Sequence, residues 1–164
     1  MKLDLALREL HRSERSLASD LAKVADRHEA EHEVHHVALD LARWSRQHVH
    51  DLAGIGPRYG LDLADDAEDD DRHDTGLMTA VRSKLSEWTG RHPAPGVVLL
   101  ADLRHLHRTA AGVSLDWELL AQGAQAAREA DLLDLAERCH PQTLRQVRWA
   151  NAMLKTLSPQ VLTS

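Results

Sequence analysis

The sequence predicts an all-α chain folded as a four-helix bundle, on three observations. Leu, Ala, Arg, Asp and Glu dominate the composition, whereas Phe is absent and there are one Tyr, eight Gly and five Pro, a balance that favours helix over sheet. From Lys2 to Ala53 there is neither Gly nor Pro. Apolar residues recur at alternating spacings of three and four, the mark of helices that bury one stripe against their neighbours. At 164 residues the chain is near the modal size of a single domain, long enough to bury a real core.

The first helix carries the seam Leu7, Leu10, Leu17, Leu21 and Val24. One position on it is Glu14, a carboxylate where packing asks for another Leu. A lone ionised Glu in an apolar core costs several kcal/mol or takes up a proton, so Glu14 requires a partner, water or a metal. Continuous helix over roughly 50 residues would reach about 75 Å, too long for a compact domain, so the stretch folds back. The turn is expected near Ala25–Ala30, where polar Asp26, Arg27, His28 and Glu29 follow the end of the seam. A second seam then runs Val34, Val37, Leu41, Trp44, His48, Leu52 and Ile55 to the breaker GIGP.

Residues 60–76 (GLDLADDAEDDDRHDTG) form an acidic run with few apolar anchors, which reads as an exposed connection. Residues 77–89 read as a short amphipathic helix with Leu77, Val81, Leu85 and Trp88 on one face, closed by Gly90 and HPAPG. The third helix, from Val97 to about Arg128, has the cleanest pattern: Leu99, Leu103, Leu106, Ala110, Val113, Trp117, Leu120 and Ala124. The fourth runs from about Ala130 to Leu157 and ends at Ser158–Pro159, with a kink or break expected after His140 because Pro141 removes a backbone donor. Its inward face is read as Leu133, Glu137, His140, Leu144 and Val147. Two hairpins joined by a long crossover make the second and third helices parallel.

Charge and composition exclude some function classes. A net charge of −6 argues against a generic nucleic-acid-binding surface, although twelve histidines with ordinary pKa near 6.5 let mild acid cancel or reverse the sign. The longest apolar run, around Val97–Leu100, is far short of the roughly 20 residues that span a bilayer. The amphipathic start lacks the apolar region of a signal peptide, and the single Cys139 excludes an internal disulfide, so a reducing cytoplasmic setting is expected. There is no Gly-rich phosphate loop, no Ser/His/Asp set and no zinc-finger spacing.

Di-metal helical bundles place a Glu on each of two helices and a Glu-x-x-His on each of the other two. Glu14 fits the first role, and Glu137-Arg-Cys-His140 is a literal Glu-x-x-His. The third helix offers Asp116 and Glu118 beside Trp117, or His107. The second helix offers LDLARW at the level of Glu14, with Asp40 as the nearest carboxylate, Arg43 where an imidazole belongs, and His48 one turn further on the seam. Glu14, His48, Glu137 and His140 are therefore the candidate metal ligands of an altered or lost site, and a metal-free core with Glu14 held by Arg, His or water is the alternative.

A second constellation is HEAEHEVHH, in which His28, His32 and His36 are spaced by four and His32 and His35 by three. His32 and His36 share a helical face and could take Zn, Ni or Cu. The bland reading of the His28–His36 cluster is a solvated His/Glu face, with His48 and His140 the histidines that lie inside, their charged forms disfavoured by burial. HEAEH lacks a third zinc ligand downstream, and the five-His pattern of hemerythrin-like proteins is missing. The tryptophans, on apolar faces, read as core.

The opening LRELHRSERSL, the second helix, and the closing LKTLSP after a Glu-x-x-His helix resemble the ferritin-like superfamily, most closely its YciE/YciF-type stress-associated branch. The resemblance implies a ferritin-like bundle with a stress-related or metal-related role, and iron or manganese held by Glu14, Glu137 and His140 at a degenerate di-metal site. The rival expectation is a metal-free bundle that acts as an interaction or assembly module, a homodimer that binds neither nucleic acid nor membrane.

Overall fold

A computed structural model describes residues 2–65 and 93–164. Among these residues the chain forms four long helices, α1 (Leu3–Arg27), α2 (His32–Ile55), α3 (Pro95–Ala127) and α4 (Ala130–Thr163), with a short 3-10 turn at Gly56–Tyr59. The expected acidic connection over 60–76 is described only to residue 65, and the expected helix over 77–89 lies outside the described residues.

Each helix forms where its apolar stripe finds a partner. Leu7, Leu10, Leu17, Leu21 and Val24 on α1 are sealed from solvent, as are Leu99, Leu103, Leu106, Ala110, Val113, Trp117, Leu120 and Ala124 on α3. Both seams match the expected positions residue for residue. On α2 the seam is narrower, since Val37, Trp44 and Ile55 are half-buried and small Ala38, Ala42 and Ser45 fill the interior with Leu41, His48, Val49 and Leu52.

The side-chain contacts define the topology. Ser13 meets Asp116 and Arg27 meets Asp102, so α3 runs antiparallel to α1. Glu14 meets His48 and the Ala25 carbonyl meets His35, so α2 is antiparallel to α1 as well. Hence α2 and α3 are parallel, as a crossover between two hairpins requires. The α1/α2 turn is His28–Glu31, closed by the His28 amide on the Val24 carbonyl and the Glu31 amide on the His28 carbonyl. Gly60, at φ +73°, takes the left-handed position that ends the 3-10 turn, a conformation that costs an L-residue about 1–2 kcal/mol. Arg58 and Tyr59 then anchor that turn to the start of α4, through Asp131 and through a 2.9 Å bond from the Tyr59 hydroxyl to Glu129.

Two expectations about α4 are corrected. The helix neither breaks at Pro141 nor stops before Pro159 but continues to Thr163. Both prolines are exposed, and so are Glu137 and Lys155, whose carbonyls lose their amide partners, so water can satisfy what the rings remove. The inward face is also displaced from the expected one. It consists of Leu132, Leu135, Ala136, Cys139, Thr143, Gln146, Ala150 and Met153, while Glu137 is exposed and Leu133, His140, Leu144 and Val147 are half-buried at the flank.

Among the described residues no helix is long and apolar enough to cross a membrane.

Candidate functional site

Glu14 sits at the centre of the bundle, fully buried, and each of the other three helices brings it a donor. His48 Nδ1 of α2 lies 2.7 Å from Oε1, the Trp117 indole Nε1 of α3 donates to the same oxygen at 2.7 Å, and the Thr143 hydroxyl of α4 reaches it at 3.5 Å, the long limit of a hydrogen bond. Oε1 is thus crowded with protein donors. Oε2 is buried and has no hydrogen-bond partner among the described residues.

The His48 ring is clamped on both sides. Its Nε2 lies 2.7 Å from Gln142 Oε1, so with an acceptor oxygen on each nitrogen the ring donates twice, as an imidazolium. The Trp117 ring meets it edge to face at 5.7 Å. Burial alone would lower the pKa of His48. Hydrogen bonds to Cys139 and Glu14, and the electrostatic pull of both, overcome that penalty and raise it to about 10. The expectation that burial keeps His48 neutral is therefore reversed, because Cys139 and the Glu14 carboxylate in the same dry layer together stabilise the charged ring more than desolvation disfavours it.

A second polar layer lies nearer the α1/α2 turn. The Gln146 amide donates to the Leu41 carbonyl at 3.0 Å and to Ser45 Oγ at 2.9 Å, tying α4 to α2. A polar seam joins α1 to α3: Ser13 donates to Asp116 at 2.7 Å, His105 pairs with Asp20 at 2.7 Å, and Asp102 takes Arg27 at 2.6 and 2.8 Å and His28 at 2.6 Å. His28 is buried, so the His28–His36 cluster is split: His28 lies inside, His35 is half-buried, and His32 and His36 are exposed.

Of the sequence-derived metal candidates, the fold brings Glu14 and His48 into contact and separates the others. Glu137 is exposed. His140 Nε2 lies 2.8 Å from Ser114 Oγ, with exposed Glu118 3.9 Å from Nδ1. Asp116 is engaged by Ser13, and Arg43 pairs with Asp40 at 2.8 Å on the outside of α2. A di-iron or di-manganese centre needs carboxylates and imidazoles from four helices aimed at one point. Here the fourth-helix pair faces away from Glu14, and the donors that do meet Glu14 include an indole and a hydroxyl, so the residues present do not fit such a centre. Among the described residues no group of three or more His, Cys, Asp and Glu side chains is arranged to hold a metal ion.

The surface grooves lie elsewhere. One of about 590 Å³ runs between α1 and α3, lined by Leu5, Glu9, Arg12, Ser16, Thr109 and Leu119 among others. Another of about 500 Å³ lies between α2 and α4 and is lined by charged residues including Asp51, Arg58, Asp134 and Arg138. Neither reaches Glu14 or His48, so the buried pair can hold charge and join helices but meets no substrate in these grooves. Sequence reading missed Trp117 and Thr143 as partners of Glu14, and Gln142 as the partner of His48. The signal was present: a buried indole needs an acceptor, and Thr143 and Gln146, polar residues three apart on one stripe of α4, lie near the level of Glu14. Comparison of the chain with family models, with curated proteins and with solved structures finds no match.

Proposed function

We propose that this bundle is an assembly module that pairs with a second copy of itself through the face shared by α1 and α3. The observation that carries the reading is the set of large apolar side chains on that face: Leu5 is 54% exposed, Leu115 66% and Leu119 67%. Leu5 and Leu119 line the α1/α3 groove, and Leu115 stands one helical turn from Leu119. Exposed apolar surface gathered at a groove and rimmed by polar groups is the usual form of a protein-binding site.

Charge supports a second copy as the occupant. Glu9 and Arg12 stand together on the groove wall, 3.2 Å apart and more than half exposed. An exposed pair of this kind stabilises the monomer by about 0–1 kcal/mol, so exchanging partners across a two-fold axis costs little. In a two-fold contact the same patch appears on both sides, and a patch carrying both signs beside leucines complements itself. The sealed core fits the same role, because Glu14 is met by protein donors.

Sedimentation of untagged protein at tens of micromolar tests the reading. The expected result is a dimer that Leu115→Asp with Leu119→Asp weakens about tenfold or more, since apolar anchors at the centre of an interface each contribute at least about 1 kcal/mol. A monomer at that concentration overturns it, and stoichiometric iron or manganese in the same preparation would favour instead the metal-related, stress-associated reading that the ferritin-like resemblance implies.

A further inference from the structure

His32 and His36 open α2 on the outside of the bundle, away from the α1/α3 groove, with the half-buried His35 between them in the chain. His32 and His36 are exposed, one turn apart, with ring centroids 6.3 Å from each other and ring planes only 14° from parallel. Their spacing of four sets both imidazoles on one side of the helix. His35 stands edge-on to His36 at 5.0 Å and is itself fixed, its Nδ1 lying 2.8 Å from the Ala25 carbonyl.

From this geometry we propose that His32 and His36 form a two-point chelate for one borderline divalent cation, Ni²⁺, Cu²⁺ or Zn²⁺, with water completing the coordination. Imidazole nitrogens bind these ions at about 2.0–2.1 Å, so two ligands on a shared ion lie roughly 3–4 Å apart. Two exposed rings already side by side reach that separation by side-chain rotation, without movement of the backbone. The half-buried His35 holds the space beside His36 and limits the rotamers it can adopt, a positioning role. Because Nδ1 of His35 gives its proton to a carbonyl, Nε2 is the basic nitrogen of that ring.

The surrounding charge suits a cation. Glu29, Glu31 and Glu33 are all exposed within the same stretch. They put negative charge beside the two imidazoles and offset the positive end of the α2 dipole, which by itself acts against a cation there. Hard oxygen-seeking ions such as Mg²⁺ and Ca²⁺ gain little from imidazole, so the site discriminates by ligand chemistry.

Isothermal titration of the untagged chain with nickel chloride and zinc chloride, alongside magnesium chloride, tests the proposal. One equivalent of Ni²⁺ or Zn²⁺ is expected to bind and Mg²⁺ is not, with the affinity falling about tenfold or more in His36→Gln and in His32→Gln. His50→Gln and His107→Gln are expected to bind as the parent does. As a second readout, saturating Ni²⁺ raises the melting temperature of the parent and leaves that of His32→Gln with His36→Gln unchanged. The proposal is overturned if the double variant keeps the stoichiometry and affinity of the parent, or if His50→Gln or His107→Gln abolishes binding. The dimer proposed above concerns α1 and α3, so its failure in sedimentation leaves these titrations unaffected.

Discussion

His48 Nδ1 lies 2.7 Å from Glu14 Oε1 in the middle of the bundle, with both side chains sealed from water. A buried pair of this kind is a weak source of net stability but a costly thing to break, since removing one member strands the other in a dry core. It also joins the first hairpin to itself, while Trp117 and Thr143 extend the contact to the second hairpin.

Replacing Glu14 by Leu is therefore expected to destabilise the fold by about 3–5 kcal/mol, because the imidazolium, the indole and a hydroxyl all lose their acceptor. Glu14→Leu combined with His48→Leu should recover part of that loss, as two apolar groups replace two partners. Urea unfolding followed by circular dichroism gives both values. A change within about 0.5 kcal/mol for Glu14→Leu alone would place Glu14 at the surface, contrary to its burial.

The pair also sets how stability varies with pH. The pKa of His48 is raised from 6.5 to about 10 in the fold, so its contribution is complete below the unfolded value and is lost as pH rises through the folded one. Between about pH 7 and pH 9 the stability should fall by as much as about 1.4 kcal/mol per unit, and His48→Gln should flatten that slope. His11 has the opposite sign. Burial lowers its pKa although it donates to the Ala64 carbonyl at 2.7 Å, so its contribution is present above the ordinary value and lost on acidification below it. Chemical unfolding across the acid and alkaline ranges, on the parent and on His11→Gln, separates the two.

The inward face of α4 can be checked by thiol chemistry. Cys139 is 3% exposed and is expected to resist a thiol reagent in the native protein and to react on unfolding. Glu137→Ala, on the exposed face two residues earlier, should change stability by less than about 0.5 kcal/mol, and Gln146→Ala by about 1–3 kcal/mol because it leaves the Leu41 carbonyl and the Ser45 hydroxyl without their donor. Rapid native labelling of Cys139 would contradict the register.

Asp102 holds the α1/α2 turn to α3 through both Arg27 and His28. Asp102→Ala strands a buried imidazole, so a loss of about 1–3 kcal/mol is expected, against about 0–1 kcal/mol for Arg43→Ala, which breaks an exposed pair with Asp40. Thermal melts of the two variants side by side make the comparison.

Much of this architecture was legible in the order of residues. The seams of α1 and α3 are local patterns in which one stripe is plainly more apolar than any other, so periodicity alone locates the buried face. The turn between Arg27 and His32 follows from the end of one seam and the start of the next. The α4 register was not legible in this way. Leu133, Leu144 and Val147 frame the Glu-x-x-His pair on the flank and suggest a competing face, while the true inward stripe is interrupted by Thr143 and Gln146 near the level of Glu14. A motif that asks for an inward Glu and His pulls the reading toward the flank when the core itself contains a polar layer.

The sequence by itself determined that the chain is helical, that its helices pair as hairpins, and that Glu14 is the anomalous position on which the core turns, because each of these depends on residues close together in the chain. Only the tertiary structure decided what meets Glu14. Its partners His48, Trp117 and Thr143 come from three other helices, and which side chain arrives at which atom depends on how those helices rotate against one another, a quantity that no local spacing encodes. The protonation of His48 was decided there too, since burial and an adjacent carboxylate act in opposite directions and their balance depends on a distance.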